Sequence, residues 1–514
     1  MVKANVSFIA LIFITVTALA QKPEMLPRSS PEAEGVSSQG IIDFLEAAGK
    51  SKHELHSFMF LRHGKVIAEG WWKPYRPDLK HSMYSVSKSF TSTAIGFAAI
   101  ENKLSVHDKV ISFFPNELPD TVSPYLSELT VKDLLTMSTG HDPDPTGNTK
   151  GSKDTWVKTF LSTQLVYKPG TKFTYNTLAT YVLSAIVQKQ TGQTLMDYLT
   201  PRLFNPLGIN GIDWEVSPQG INIGGYGLRL KTEDMAKFGQ LYLKKGAWNN
   251  KQLLTKEWVN EATTSKIEQN PVWVSTQSKK DSSDWLQGYG YQFWRCRNNA
   301  FRADGLAGQF IIVLPDQDAV IVLTSEAPDM QGEINLVWKY LLPAMHKNKL
   351  PDNQTTVTVL KQKLSSLALP IPAKVVASSA VPGLSGKSFE IAPNAKQIKN
   401  ISFQFKADTC VALIKTDTAS YKLNFGRGTW INGETMKTGP YFMANLIGLL
   451  PFKVAGSFSW KEGNVLELVL RYIETPHTET FSCRFDENRV SVDIKNSNQS
   501  NNNLVLEGKV EIEL

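Results

Sequence analysis

The apolar residues of this chain change period twice, and that order constrains the fold more than any single residue does. Ser57-Phe58-Met59-Phe60-Leu61 and Val66-Ile67-Ala68-Glu69-Gly70-Trp71-Trp72 flank His63-Gly64-Lys65 and predict a β-hairpin. Helical spacing takes over from about Val86 to Asn102, and again from Thr177 to Gly192, where a glycine marks the helix end. Thr232-Glu233-Asp234-Met235 opens a further helix, with Thr232 as cap and acidic residues in the first turn. Alternation returns in 289–294, 309–314 and 319–323, which predict three antiparallel strands with turns at Asn298-Asn299 and Pro315-Asp316; residues 335–347 close the unit as a helix. Strands first, helices in the middle and strands last is an α+β arrangement, with the first and last strands free to share one sheet.

Residues 350–384 mix prolines with Ser, Thr and Ala and read as a connector with a short helical stretch. From 385 to 514 short alternating runs recur, such as Ile401-Ser402-Phe403-Gln404-Phe405, with turn signals at Asn432-Gly433 and Glu462-Gly463-Asn464. This predicts a separate all-β domain. Trp430 is expected to fill its interior, with capping of a cleft in the first unit as the domain's other expected role.

The first twenty residues carry an address. Lys3 precedes the apolar run Phe8 to Ala20, which ends in Ala18-Leu19-Ala20, the small-x-small pattern that a signal peptidase cuts. The run is short of the roughly 18 to 20 residues a membrane span needs, so the expectation is an exported protein, periplasmic or secreted, with its main unit at 21–349 and no span after cleavage. A hydrophobic fraction of 42% and 20% charged residues suit full-sized cores. A net charge of +7 without a basic block argues against nucleic acid as partner. Three cysteines allow one disulfide at most, with Cys410 and Cys483 as a pair inside one domain. The eight histidines show no metal-site spacing, so no metal and no cofactor is expected.

Chemistry concentrates at Tyr84-Ser85-Val86-Ser87-Lys88. Ser-x-x-Lys occurs once in the chain, where the hairpin meets a long apolar helix (Phe90, Ala94, Ile95, Phe97, Ala98). One helical turn apart, both side chains share a face. The serine amide is an unpaired helix-start donor, and a desolvated lysine beside it can accept the hydroxyl proton.

With that motif in place, the first ~350 residues resemble the serine β-lactamase and penicillin-binding-protein superfamily, in its class C, esterase-like branch. Further ordered matches are 129–140, ending in Ser138-Thr139-Gly140; Pro169-Gly170-Thr171-Lys172-Phe173-Thr174-Tyr175-Asn176-Thr177; and Gly224-Gly225-Tyr226-Gly227-Leu228 through Gly239. The resemblance implies Ser85 as nucleophile, Lys88 as its activating partner and Tyr175 as second base and acid, its phenol pKa lowered by the nearby ammonium. Thr177 stands where the family has Asn, leaving that hydrogen-bonding role lost or taken by Asn176. The family's Lys-Thr-Gly triplet aligns with Ala303-Asp304-Gly305, so its carboxylate-binding lysine is missing, and Arg302 falls on the other face of the strand. Gly305 would permit close approach by a substrate, and the N–H groups of Ser85 and Leu306 would form the oxyanion hole. Asn176, Gly305 and Asp304 are the expected substrate contacts. Gly305 through Gln309 is similar to the 6-aminohexanoate-dimer hydrolase group, which implies cleavage of linear amides and simple esters. The alternatives are a penicillin-recognising binding protein with little turnover, or a β-lactamase or D-peptidase. His141 is expected as a solvated loop residue or at the pocket rim, and Tyr289 or Trp294 as strand core or cleft wall.

Overall fold

The computed structural model describes residues 25–511 apart from 270, 272, 273, 276, 278, 373–380, 441–448, 462–463 and 499–502. The expected leader and the Glu462-Gly463 turn signal lie outside the described residues. No helix among the described residues is long and apolar enough to cross a membrane.

The hairpin forms as read: β1 (Glu54–Arg62) and β2 (Lys65–Trp71) are antiparallel. Four later strands join them: β3 (Trp294–Arg295), β4 (Phe301–Gly305), β5 (Gln309–Leu314) and β6 (Ala319–Glu326), in the spatial order β2-β1-β6-β5-β4-β3. First and last strands do share the sheet, with Phe58 opposite Leu323 and Phe60 opposite Ile321. The strand expected at 289–294 is not there, apart from its last residue. The amides of Tyr289, Tyr291 and Gln292 donate instead to Ile267, Ala262 and Leu135, away from the sheet ladder. Alternation there reflects burial between loops and helices. The strand read at Ala303-Asp304-Gly305 is β4, beyond the Asn298-Asn299 turn, where both asparagines take positive φ.

Helices cover both faces of the sheet. On one side α1 (Ser38–Gly49) and α5 (Met330–Leu336) enclose a core with Phe44, Phe58, Phe60, Ile321 and Leu323. On the other, α2 (Ser87–Ile100), α3 (Thr177–Thr191) and α4 (Thr232–Leu243) share a core with Met59, Leu61, Val320 and Val322. Thr232 is not a cap; its hydroxyl donates to Ser57 Oγ and accepts from Trp71 Nε1, tying α4 to the sheet. The helix expected from 335 starts earlier, because the Asp329 carboxylate caps it by accepting from Gly332 N, and a wide turn at Val337–Leu341 ends it. Within the expected connector, α6 (Gln354–Ser365) is a full helix capped by Asn353, burying Val357 and Leu360.

Ten further strands form an all-β barrel: β7 (Ser388–Ile391), β8 (Ile398–Lys406), β9 (Thr409–Thr416), β10 (Ser420–Arg427), β11 (Ile431–Thr435), β12 (Phe452–Lys461), β13 (Val465–Tyr472), β14 (Thr478–Asp486), β15 (Arg489–Asn496) and β16 (Leu504–Val510). The ring runs β10-β9-β8-β7-β16-β15-β14-β13-β12 and closes where Gly426 and Arg427 pair with Ser457 and Phe458. Asn432-Gly433 is not a turn; it runs inside β11 opposite Ala455 and Val454. Phe389, Phe403, Phe425, Phe458, Trp460, Phe481 and Phe485 fill the interior, where one small void of about 10 Å³ lies beside Cys483. Trp430 does not fill it; it packs against the core of the first unit, with the Arg471 guanidinium 5.4 Å from its ring. All three cysteines are free and buried, so Cys410 and Cys483 form no disulfide.

Candidate active site

Tyr84–Val86 form a single 3₁₀ turn that leads into α2, and this turn presents Ser85 at the mouth of a cleft of about 550 Å³. One helical turn on, Lys88 is 1% exposed. Its Nζ donates to Gly225 O at 2.7 Å, to Ser85 Oγ at 3.1 Å and to Thr177 Oγ1 at 3.4 Å. None of these partners carries a charge. Burial therefore brings the ammonium down to about 7, against a weak pull from Asp144 and Asp304 in the other direction. Near neutral pH a large fraction of Lys88 is a free amine in contact with the serine hydroxyl.

Gly225 is glycine because its carbonyl must reach this amine; a Cβ there would sit 2.7 Å from Thr177 Cγ2 and 2.8 Å from Thr177 O. Thr177 itself fills the third position of the tyrosine triplet and touches Lys88. Asn176 does not take that role. It is fully buried and caps α3, accepting from Ala179 N at 2.8 Å, while its amide donates to Thr139 Oγ1. An Asn before a helix is a favoured cap, and Asn176 is outside the cleft lining.

Tyr175 stands across from Ser85 and lines the cleft. Lys88 Nζ lies 4.9 Å from its ring centroid and Trp294 stacks on it at 5.7 Å. Its phenol pKa is raised, against the lowering expected from the neighbouring lysine. Burial dominates, Asp304 and Asp144 add to it, and a hydrogen bond with Ser85 opposes it. Tyr175 thus holds its proton.

The third wall is β4. A Cβ on Gly305 would lie 2.3 Å from Met83 O, so glycine is required for approach by the turn that carries Ser85, where a substrate had been expected. Arg302 does face away from Ala303, but that is the face of the cleft. Its Nε donates to Asp304 Oδ2 at 2.8 Å and its guanidinium lies 4.4 Å from the Trp285 ring. Ala303 packs into the helical core while Asp304 lines the cleft. Burial raises the Asp304 carboxyl and Arg302 pulls it back. Leu306, 40% exposed, lies beside Ser85 at the cleft mouth, and its N–H meets no backbone carbonyl among the described residues.

Trp294 joins the cleft wall, whereas Tyr289 is buried behind it. His141 is neither solvated nor at the rim. It is 1% exposed, bonded to Thr139 Oγ1 and Phe160 O, and burial lowers it to about 4. Trp285, Ser282, Ser283 and Gln331 were not singled out from sequence and carried no signal there; Thr177 was noted for its place in the triplet, but not as a partner of Lys88. Among the described residues no cluster of metal-ligating side chains exists.

The profile of the Beta-lactamase family matches residues 52–340, from β1 through the wide turn after α5. The chain belongs to the beta-lactamase family. It is 25% identical over 290 residues to the 6-aminohexanoate-dimer hydrolase of Paenarthrobacter ureafaciens, covering 53% of this chain and 73% of that relative. A candidate D-alanyl-D-alanine carboxypeptidase of Escherichia coli strain K12 is 22% identical over 236 residues, 40% of this chain and 54% of that one. The solved structure of a candidate 6-aminohexanoate-dimer hydrolase from Bacillus anthracis superposes with a TM-score of 0.50 at 21% identity, covering 64% of this chain and 90% of that one. This beta-lactamase-family chain therefore has a serine-hydrolase fold of the penicillin-binding-protein superfamily, followed by a barrel outside the matched segment.

Proposed function

We propose that this protein is an exported serine hydrolase that cleaves small esters or linear amides through an acyl-Ser85 intermediate. The contact that carries the reading is Lys88 Nζ at 3.1 Å from Ser85 Oγ, buried and without a charged hydrogen-bond partner. In acylation the neutral amine takes the Ser85 proton as Oγ bonds to the substrate carbonyl carbon. The oxygen that becomes negative is met by the N–H groups of Ser85 and Leu306. The ester C–O or amide C–N bond then breaks, Tyr175 gives its proton to the departing oxygen or nitrogen, and the Lys88 ammonium restores it. Water, deprotonated along the same route, attacks the acyl carbon and releases the acid and Ser85.

The third triplet supports small uncharged acyl groups over the carboxylates of β-lactams and D-peptides, because Ala303 offers no cation in place of the family's lysine and its neighbour Asp304 brings a carboxyl group to the cleft lining. The name of the relative from Paenarthrobacter ureafaciens, a 6-aminohexanoate-dimer hydrolase, agrees with this choice. A fluorophosphonate probe followed by peptide mapping tests the assignment. Adduct on Ser85, together with turnover of p-nitrophenyl acetate, is expected. Folded protein that neither labels at Ser85 nor turns over a panel of short esters and linear amides would instead be a binding protein.

A further inference from the structure

We propose that His477, on the barrel hairpin between β13 and β14, is a positioning residue that braces both sides of the oxyanion site. The proposal rests on the hydrolase reading and adds a part to that site that lies outside the family-matched segment. His477 is 1% exposed. Its Nε2 meets the Tyr84 phenol at 2.5 Å and its Nδ1 meets Glu326 Oε1 at 2.7 Å. A carboxylate can only accept, so Nδ1 carries a proton; with a neutral imidazole Nε2 then accepts from the phenol.

Each partner controls one donor of the oxyanion site. Tyr84 precedes Ser85 and holds φ at +45°, a left-handed value that a bulky side chain adopts only when its surroundings enforce it. Glu326 ends β6, and the residues on either side of it clasp the loop that carries Leu306. Ala327 N donates to Ala307 O at 2.8 Å, and Ser325 Oγ donates to Ala307 O at 2.9 Å and Gly308 O at 3.0 Å. His477 thus spans the gap between the Ser85 turn and the Leu306 loop.

The hairpin that carries it is fixed to the first unit at several points. Ser82 N donates to Glu474 O at 2.8 Å, Tyr75 OH to Thr475 O at 3.0 Å, and Arg229 Nη1 pairs with Glu474 Oε2 at 3.1 Å. Arg471 Nη2 reaches Glu54 Oε2 at 3.0 Å. Apolar contact alone would dock a barrel with less desolvation; this polar turn fixes orientation.

The test is a double-mutant cycle of Tyr84→Phe and His477→Ala on p-nitrophenyl butyrate hydrolysis, with His477→Gln as the conservative variant. Amide hydrogen exchange is followed at Val86, bonded to Met83 O, and at Ala327, bonded to Ala307 O. Each single change is expected to lower kcat about ten- to a hundredfold with KM within about twofold, as small misplacements of a reacting group do. The double variant should be no worse than either single. His477→Gln should recover most of the rate, and exchange should speed up at both amides. Additive losses, a change confined to KM, or unchanged exchange would each overturn the brace. If His477→Ala fails to fold, Tyr84→Phe still decides, since it removes one oxygen and keeps the ring. If the wild-type protein neither labels nor turns over, the hydrolase reading falls, and exchange at Val86 and Ala327 alone decides the brace.

Discussion

Lys88 and Asp304 are buried ionisable groups at one cleft, on opposite walls, and their partners set them apart. Among the described residues Lys88 donates only to neutral oxygens, and burial drives it down to about 7. Asp304 has the Arg302 guanidinium 2.8 Å away, which offsets what burial does to it. Burial with a counter-ion makes a fixture of the strand, whereas burial without one makes a base that exchanges protons near neutral pH.

The largest effect should come from the Lys88 wall. Ser85→Ala should abolish ester turnover and leave the melting midpoint nearly unchanged. Lys88→Met should lose a comparable factor, since parts of one proton-transfer unit are not additive. In the wild-type protein kcat/KM should fall about tenfold per pH unit below a midpoint near 7, as the amine is protonated. Stability changes with pH in the same direction, but over a higher window. The folded pKa is depressed from 10.5 to about 7, so the unfolded chain binds more protons between those values and stability rises with pH across that window. Below pH 7 the full penalty is present. Lys88→Met removes it, so the dead variant should melt higher than wild type at pH 6. A lower midpoint there would break the contrast between the two walls.

Tyr175→Phe should have the next largest effect, and a selective one. A buried phenol that keeps its proton is an acid first, and general acid catalysis is worth ~10² to 10⁴ in rate. An amine cannot leave unprotonated, whereas a nitrophenolate can. Linear amides should therefore lose far more kcat than p-nitrophenyl esters. Equal losses on both would reduce Tyr175 to a packing residue against Trp294.

The two walls were unequally legible in the sequence. Ser85 and Lys88 are local: one helical turn fixes their relation, and the apolar run after them announces the helix. The Asp304 wall depends on the partner strand and on packing from 282–294, so alternation gave the faces of β4 without saying which face bears the cleft. The same gap explains 289–294, where buried aromatics alternate without pairing in the sheet. Asn176 was legible as a helix cap but was read as a substrate contact through its neighbour in the triplet. The barrel was legible as all-β from its alternating runs. That its hairpin reaches the Ser85 turn was not, because His477 and Tyr84 are 393 positions apart and nothing local pairs them.

The smallest effect should come from the charge on Asp304, and it decides whether Arg302 leaves that charge visible to a substrate. Asp304→Ala would strand a buried guanidinium at a cost of roughly 3–5 kcal/mol, so Asp304→Asn is the informative change: it keeps an oxygen for Arg302 Nε and removes the charge. With the wild-type protein, short neutral esters should be cleaved faster than a cephalosporin or a p-nitrophenyl hemisuccinate. The missing charge-assisted bond to a substrate carboxylate is worth roughly 1.5 to 3 kcal/mol, ten- to a hundredfold in rate. In Asp304→Asn the hemisuccinate-to-butyrate ratio of kcat/KM should rise by roughly tenfold, because the like charge is gone while no cation has been added. Raising salt should narrow the wild-type ratio only slightly, since a buried charge is poorly screened. An unchanged ratio would mean that Arg302 already cancels the carboxylate at the cleft, and that the preference for neutral acyl groups comes from the aromatic walls of Trp285 and Trp294 instead.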